Sequence, residues 1–316
     1  MNSTPDRSAS VIGHALQALA IACTLWGAAG HAQTQSFRDT LLRGAALAPD
    51  LVLPTEVAYL GVFSAPKLAL YKPEGPGPFP AIVILHQCGG LRSSSGTWQN
   101  VAILDWAKEA VSRGYVALVL DSLGPRRVDS VCYGVSGGVN FPRGVRDALQ
   151  AAEHLGKLPY VDRNRIAFVG FSWGAMVGLL ASGESWGNSL EAGQRFRAVV
   201  AFYPGCFEIR PPSGRPYELV QPDIDTPVLV LMGGLDTETP PQECTSRREP
   251  LKAAGRPVDW HIYPEATHCW DCQNLDRFRK TDIRGTAVEY RYNKEVSKDS
   301  ADRLFAFIRT AFEAKR

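Results

Sequence analysis

The stretch Ile166-Ala-Phe-Val-Gly-Phe-Ser-Trp-Gly-Ala-Met-Val-Gly-Leu-Leu-Ala181 decides the fold of this chain. Its first four residues are an uninterrupted apolar run, which predicts a strand buried on both faces. Ala175–Ala181 follows a helical pattern, and Gly170-Phe-Ser-Trp-Gly174 lies between the two as a G-x-S-x-G motif. This order predicts a nucleophile elbow, in which the central serine stands exposed above the carboxyl ends of the strands. Ser172 is therefore the candidate nucleophile.

Glycine is needed on both sides of Ser172 for a steric reason. The turn from strand to helix is sharp, so a larger side chain two residues before or after the serine would clash with the backbone. The alternative interpretation is a simple Gly-Ser turn that joins a strand to a helix. The context of strand and helix favours the elbow, since the motif without that context is common.

The alternation of apolar runs and helical segments continues on both sides of the elbow and predicts an α/β fold, with a mostly parallel central sheet and helices on both faces. A more alternating run, Val258–Tyr263, is predicted near an edge, and Val57–Tyr71 is predicted to supply antiparallel edge strands. The predicted inner strands are Ala81–Leu85, Tyr115–Leu120, Ile166–Val169, Ala198–Phe202 and Val228–Leu231. The predicted helices are Trp98–Arg113, Gly144–Leu158, Ala175–Ala181, Pro241–Ala254 and Ser300–Ala314.

An elbow serine predicts its partners in the chain order serine, acid, histidine. Of six histidines, His268 stands in a loop after the last apparent strand and after Ser172, which makes it the candidate base. Asp236 follows the run Val228–Leu231 and is the candidate acid, with Glu238 as its competitor. In this arrangement the histidine takes the serine proton, the aspartate orients the imidazole, and an acyl-enzyme forms and is released by water.

An oxyanion hole requires two backbone N–H groups. The first is expected from Trp173, which follows the nucleophile, and the second from the loop after the first parallel strand, Leu85-His-Gln-Cys-Gly-Gly-Leu91. Because the glycine pair allows close approach of the backbone to a substrate, we place the second donor at Cys88, with Gln87 as the alternative. His86 is predicted to shape this loop rather than to act as a catalyst.

The N-terminus has the order of a secretory signal peptide. A polar start with Arg7 is followed by an apolar run over residues 15–29 and by the small residues Gly30-His-Ala32. We therefore predict a signal peptide over residues 1–32, a single α/β-hydrolase domain over 33–316, and a periplasmic or secreted protein. The apolar run is shorter than the ~20 residues of a membrane span, so stable membrane insertion is not expected. A buried N-terminal helix is the alternative.

The cysteines are consistent with export. Six remain beyond the predicted signal peptide, and an even number in an oxidising compartment predicts disulfides, although six cysteines allow fifteen pairings. Small buried free thiols are the alternative. These residues are Cys88, Cys132, Cys206, Cys244, Cys269 and Cys272.

Composition narrows the classes of partner. The formal net charge of +2 over 316 residues is too small to indicate a nucleic acid or an anionic membrane as partner. Cys269-Trp-Asp-Cys272 has C-x-x-C spacing, but a zinc site would need a second pair and a redox pair would need a thioredoxin-like context. We expect no metal and no cofactor, and the sequence leaves the oligomeric state open.

From about Ala81 to the C-terminus, the chain resembles the dienelactone hydrolase family. The residues that carry the resemblance are Leu85-His-Gln-Cys-Gly-Gly-Leu91, Asp121-Ser-Leu-Gly-Pro-Arg126, Phe171-Ser-Trp-Gly174, Gly234-Leu-Asp236 and Tyr263-Pro-Glu-Ala-Thr-His268. The resemblance implies one compact α/β domain, no cofactor, and hydrolysis of a small-molecule ester or lactone. Founding members use a cysteine nucleophile, so Ser172 is typical of a serine branch, and this difference argues against dienelactone itself as the substrate.

Three residues are predicted to bind substrate. Gln87 matches the loop position at which founding members carry a glutamate that gates the cysteine. Arg126 follows the strand Tyr115–Leu120 and could hold a substrate carboxylate, as arginine does in the family, or bind loop carbonyls. Trp270 is predicted to line the cavity. Acyl transfer, peptide hydrolysis and non-catalytic binding are the alternative functions, because the triad does not decide the acceptor.

Overall fold

The computed structural model describes residues 36–93, 95 and 99–314, and its centre is a seven-stranded sheet. The strands are β1 (Ala69–Tyr71), β2 (Phe79–Leu85), β3 (Val116–Leu120), β4 (Val161–Phe171), β5 (Ala198–Phe202), β6 (Glu208–Ile209), β7 (Tyr217–Glu218), β8 (Val228–Gly233), β9 (Val258–Tyr263), β10 (Arg279–Thr281) and β11 (Ala287–Glu289). The central sheet has the order β1-β3-β2-β4-β5-β8-β9, while β6-β7 and β10-β11 form two small separate ribbons.

The pairing confirms the predicted sheet. Strands β3, β2, β4, β5, β8 and β9 run parallel, and β1 pairs antiparallel with β3 at one edge. Of the run Val57–Tyr71, predicted to supply antiparallel edge strands, Ala69–Tyr71 alone forms one, and Val57 makes an isolated parallel bridge to Leu70. Strand β9 forms the opposite edge, where the alternating run Val258–Tyr263 was expected. The inner strands β3, β5 and β8 are buried along their whole length, as uninterrupted apolar runs predict.

Helices cover both faces of the sheet. They are α1 (residues 36–45), α2 (Val101–Ser112), α3 (Phe141–Leu155), α4 (Trp173–Ala181), α5 (Glu184–Ser189), α6 (Pro241–Ala253) and α7 (Lys294–Glu313), with 3-10 turns at Gly124–Arg126 and Gln273–Leu275. Side chains of a strand alternate between faces. Val83 of β2 accordingly joins the core beneath α3 and α4, while Ile84 joins the core beneath α2 and α7.

Three helices begin earlier than the apolar pattern predicted: α4 begins at Trp173, and α3 and α7 begin after capping residues that lie outside that pattern. The Asn140 side chain accepts a hydrogen bond from the Arg143 N–H at 2.8 Å and starts α3 at Phe141. Asn293 accepts from the Val296 N–H at 3.0 Å and starts α7 at Lys294. An asparagine before a helix satisfies an otherwise free backbone donor, so these two caps decide the boundaries.

Four segments form structure that the sequence did not indicate. They are α1, the short helix α5 that closely follows α4, the ribbon of β6 and β7, and the hairpin of β10 and β11 within the polar stretch 269–293. The predicted signal peptide, residues 1–32, lies outside the described residues. Across the part of the chain that the structure describes, no helix combines the length and the apolar character needed to cross a membrane.

Candidate active site

Ser172 occupies the turn between β4 and α4. Its φ of +51° is a left-handed backbone conformation, and its N–H donates to the Phe202 carbonyl at 2.9 Å. A Cβ atom added at Gly170 would lie 2.2 Å from the Gly174 carbonyl oxygen, and one at Gly174 would lie 2.5 Å from that of Leu85. Neither distance allows a side chain, so the steric reason for glycine on both sides of the serine is confirmed.

The structure brings the three predicted catalytic residues into one hydrogen-bonded chain. His268 Nε2 lies 3.0 Å from Ser172 Oγ, and His268 Nδ1 lies 2.7 Å from Asp236 Oδ2. All three residues are buried, with at most 5% of their surface exposed. Because the carboxylate accepts a hydrogen bond from the Nδ1–H and so keeps the ring proton on Nδ1, Nε2 is left as an acceptor for the serine hydroxyl. This is the geometry that a histidine base requires.

Asp236 is fixed by its own loop. Its Oδ1 accepts the backbone N–H groups of Glu238 and Thr239, both at 2.9 Å, and the Thr239 hydroxyl donates to Oδ2 at 2.8 Å. These three hydrogen bonds hold the carboxylate in one orientation. Thr239 was not predicted, although its position three residues after the acid is that of a side chain closing a tight turn.

The competing acid, Glu238, lies beside the opposite nitrogen of the imidazole. Its Oε2 is 3.7 Å from His268 Nε2, whereas Asp236 contacts Nδ1. Burial by itself would lower the pKa of His268, but the carboxylates of Asp236 and Glu238 outweigh burial and raise that pKa above its ordinary value. Asp236 is therefore the acid in line with the serine, and Glu238 is an additional charge near the reacting side.

The predicted oxyanion donors are the backbone N–H groups of Trp173 and Cys88, and this assignment stays a prediction. Trp173 is the first residue of α4, so its N–H has no acceptor within the helix. Cys88 lies in a turn closed by the Gly90 N–H, which donates to the Gln87 carbonyl at 3.0 Å. Cys88 and Ser172 line the same cavity, which is consistent with the oxyanion prediction.

His86 supports this loop from beneath. Its Nδ1 lies 2.6 Å from the Gln87 carbonyl, and the Ser122 N–H donates to its Nε2 at 3.2 Å. Burial lowers the pKa of His86, and a neutral ring with the proton on Nδ1 satisfies both contacts. The ring stacks on Trp173 with centroids 5.9 Å apart, so one buried histidine contacts both the loop after β2, at Gln87, and the residue that follows the nucleophile.

A cavity of about 260 Å³ opens at Ser172. One side is formed by the loop after β2 and by the Cys88–Cys132 disulfide, and the other by the segment 269–293. Among the described residues that line it, Lys280 is the one cation. The lining residues are Gln87, Cys88, Gly89, Cys132, Tyr133, Ser172, Cys269, Leu275, Phe278, Lys280 and Tyr290.

The structure does not bring Arg126 to the cavity, contrary to the predicted substrate contact. Its guanidinium forms two hydrogen bonds with Asp147, at 2.6 and 2.8 Å, and a third with the Ser122 carbonyl at 2.8 Å. The Arg126 side chain is 4% exposed and that of Asp147 is fully buried. The guanidinium donors are engaged by a buried carboxylate and a loop carbonyl. Arg126 therefore has a structural role and does not contact substrate in this geometry.

Trp270 also lies away from the cavity. It is fully buried and packs edge-on against Tyr203 and Tyr263, and its indole N–H lies 3.4 Å from Ser300 Oγ. Its neighbour in sequence, Cys269, lines the cavity instead. The side chain therefore belongs to the core beneath α7. The position of Trp270 two residues after His268 did not predict the direction of its side chain.

Gln87 does line the cavity, but its amide is held in a buried network that sequence reasoning missed. The Nε2 group donates to the Tyr203 hydroxyl at 3.1 Å and contacts the sulfurs of Cys269 and Cys272 at 3.6 and 3.5 Å. The Tyr203 hydroxyl donates in turn to Asp271 at 2.8 Å. Burial is the main cause of the raised pKa of Asp271.

All six cysteines beyond the predicted signal peptide are paired. The disulfides are Cys88–Cys132, Cys206–Cys244 and Cys269–Cys272, which confirms the expected disulfides and selects one of the fifteen pairings. Cys269, Asp271 and Cys272 place a ligand atom each within 4.8 Å of one another. The two sulfurs are bonded to each other, so neither is a thiolate that could bind a metal.

Solved structures of hydrolases share this fold. A "putative dienelactone hydrolase" from Klebsiella pneumoniae aligns with a TM-score of 0.56 and 21% identity, over 75% of this chain and 89% of that one. Esterase 2 of Thermogutta terrifontis, solved with butyrate, aligns with a TM-score of 0.54 and 14% identity, over 78% of this chain and 90% of that one. The parallel sheet with helices on both faces is that of an α/β-hydrolase.

Sequence comparison identifies the family of α/β-hydrolases to which the chain belongs. The model of the dienelactone hydrolase family matches residues 67–312. A protein of Yersinia pestis described as "Putative carboxymethylenebutenolidase" is 25% identical over 203 residues, which are 62% of this chain and 70% of that protein. The chain belongs to the dienelactone hydrolase family, and it is a hydrolase of the esterase type.

Proposed function

We propose that the protein is exported and hydrolyses carboxylic ester or lactone bonds of small molecules through an acyl-enzyme, with Ser172 as nucleophile, His268 as base and Asp236 as the orienting acid. The observation that carries the proposal is the continuous chain of hydrogen bonds from Asp236 Oδ2 through His268 to Ser172 Oγ, with distances of 2.7 and 3.0 Å. A serine hydroxyl needs an adjacent base of this kind to act as a nucleophile.

Acylation follows from the positions of these atoms. The Ser172 oxygen attacks the carbonyl carbon while its proton passes to His268 Nε2, and Asp236 stabilises the imidazolium that results. We assign to the N–H groups of Cys88 and Trp173 the role of donating to the carbonyl oxygen as it becomes negative. His268 then donates the proton to the departing alcohol. In a lactone that alcohol stays attached to the acyl group.

Deacylation uses the same residues in reverse. Water enters beside His268 Nε2, loses a proton to that nitrogen, and attacks the acyl carbon, after which the proton returns to Ser172. The cavity is large enough for a small acyl group but is largely apolar, with Lys280 already paired to Glu238 at 2.7 Å. We therefore favour uncharged esters or lactones over strongly anionic substrates.

The three disulfides support the export part of the proposal. Such bonds persist in the periplasm and outside the cell and are rare in a reducing cytosol. Two of them, Cys88–Cys132 and Cys269–Cys272, contribute residues to the cavity wall, so the shape of the site depends on an oxidising compartment.

A fluorophosphonate probe and p-nitrophenyl acetate test the nucleophile. We expect the wild-type protein to be labelled and active, and Ser172→Ala to lose labelling and at least about 10⁴-fold of kcat/KM. The matched control is Ser112→Ala, which removes the hydroxyl of an exposed serine at the end of α2 and should leave both unchanged. Full activity of Ser172→Ala would refute the proposed mechanism.

A further inference from the structure

Glu238 lies on the reacting side of His268, and its charge is held in place by two further side chains. Its Oε1 accepts a hydrogen bond from Lys280 Nζ at 2.7 Å, and its Oε2 accepts one from the Tyr290 hydroxyl at 2.8 Å. The side chains of Glu238 and Lys280 are 13% and 17% exposed. A carboxylate fixed this way in a poorly solvated site acts on its neighbours much more strongly than one at the surface.

We propose that Glu238 is a second carboxylate of His268: fixed by Lys280 and Tyr290, it stabilises the imidazolium that forms when Nε2 takes the Ser172 proton. The inference rests on the proposed function. Glu238 acts through His268 and not on the substrate, so it is a positioning residue. The proton stays on Nε2 until the leaving alcohol takes it, and Glu238 gains and loses no proton in the cycle.

The two carboxylates lie near different nitrogens of the His268 imidazole. Asp236 contacts Nδ1 at 2.7 Å and sets the tautomer, while Glu238 lies 3.7 Å from Nε2, beyond a hydrogen bond but within strong electrostatic range. The longer distance matters, because a direct bond to Glu238 would compete with Ser172 for Nε2. Burial would raise the pKa of Glu238, but His268, Lys280 and Tyr290 outweigh burial and lower it, so the carboxylate is ionised at neutral pH.

Lys280 offsets the negative charge that Glu238 adds beside His268. Two uncompensated carboxylates beside His268 would oppose the negative charge that develops on the carbonyl oxygen at Ser172. The ammonium group of Lys280 neutralises one of them and also lowers the pKa of His268. Glu238 and Lys280 should therefore shift the titration of His268 in opposite directions, an effect that a purely structural pair would not produce.

The other groups facing His268 must be considered in any titration. Tyr290 and Tyr203 approach its ring with centroids 5.6 and 4.6 Å away, and burial is the main cause of their strongly raised pKa values, so both stay neutral. Asp236 contacts the ring directly, and Asp271 lies in the same loop. None of these groups changes in the two variants that test the proposal.

The test measures the pKa of His268 in two ways, by NMR titration of its ring and by the acidic limb of kcat/KM for p-nitrophenyl acetate. A raised pKa means that activity falls as pH drops through it, because the base must be neutral. Glu238→Gln keeps the shape of the side chain and should move the limb to lower pH by about one unit. Lys280→Met should move it to higher pH. Thermal unfolding checks that both variants are folded.

The outcomes separate this inference from the proposed function. An unchanged NMR titration in folded Glu238→Gln, or shifts of the two variants in the same direction, would overturn the role of Glu238. Activity retained in Ser172→Ala would overturn the proposed function instead, while the NMR shifts would still decide whether Glu238 governs His268. Resonance assignment uses His268→Asn, which removes the signal in question.

Discussion

The two sides of the cavity are built in different ways. On one side, the groups proposed for the chemistry follow directly after parallel strands: the Gln87 loop after β2, Ser172 after β4 and Asp236 after β8. On the other side, the segment 269–293 has a 3-10 turn, a hairpin of two three-residue strands and irregular backbone, and it supplies Leu275, Phe278, Lys280 and Tyr290.

The difference shows that one side of the cavity positions the proposed catalytic groups, whereas the other sets its width and charge. The carboxyl ends of parallel strands lie together at one edge of a sheet, so the sheet places nucleophile, acid and oxyanion loop without help from long loops. The irregular segment 269–293 contains no residue of the proposed triad, although His268 directly precedes it. It sets the width and the charge of the cavity, and it carries the lysine and tyrosine that hold Glu238.

Breaking the sheet side should have the largest effect. Asp236→Asn removes the charge that holds the His268 tautomer and should lower kcat/KM by about 10⁴-fold with the fold intact. Steady-state kinetics with p-nitrophenyl acetate and circular dichroism check this. The paired variant Glu238→Gln should lose far less activity at neutral pH. Equal losses in the two variants would show that the assignment of the two acids is wrong.

The buried ion pair of Arg126 and Asp147, which lies away from the cavity, should affect stability and not substrate binding. Arg126→Met leaves Asp147 with Arg143 as its remaining ion-pair partner and should lower the free energy of unfolding by roughly 3 kcal/mol, with KM unchanged. Arg146→Met, at a more exposed arginine of the same helix as Asp147, is the control and should cost under about 1 kcal/mol. Urea unfolding measures both.

A raised KM in Arg126→Met, with stability preserved, would show that this arginine does contact substrate. The guanidinium would then have to leave Asp147 when substrate binds. The present geometry, with both carboxylate oxygens engaged, argues against such a movement.

Changing the irregular side should alter selectivity by a smaller amount. Phe278 lies on the cavity wall and is 43% exposed. Phe278→Ala should lower kcat/KM for long-chain or aromatic acyl esters by about tenfold, since covering part of the ring is worth roughly 1–2 kcal/mol, and should leave acetate esters unaffected. A chain-length series of p-nitrophenyl esters measures the change.

Ile283→Ala is the matched control for Phe278, because Ile283 is an exposed apolar residue in the same hairpin that does not line the cavity. It should leave the whole ester series unchanged. If both variants change the series alike, the hairpin acts through its overall stability and not through contact with the acyl group.

Local patterns in the sequence determined much of the fold and the placement of the candidate triad. Five apolar runs became the inner parallel strands, and the motif around Ser172 became a strand-turn-helix junction. Asp236 and His268 followed from chain order, because strand ends in a parallel sheet converge at one edge. These inferences depend on residues that lie within a few positions of a strand, where periodicity and sterics act.

The tertiary structure decided what depends on contacts between distant residues. Arg126 meets Asp147, Glu238 meets Lys280 and Tyr290, and Trp106 donates to Asp271 at 2.7 Å, each across a fold that no local pattern describes. The disulfide pairing and the burial of Trp270 are of the same kind. Such contacts are selected by packing the whole chain, because the partners of a charge or a sulfur are whichever groups the fold brings within reach.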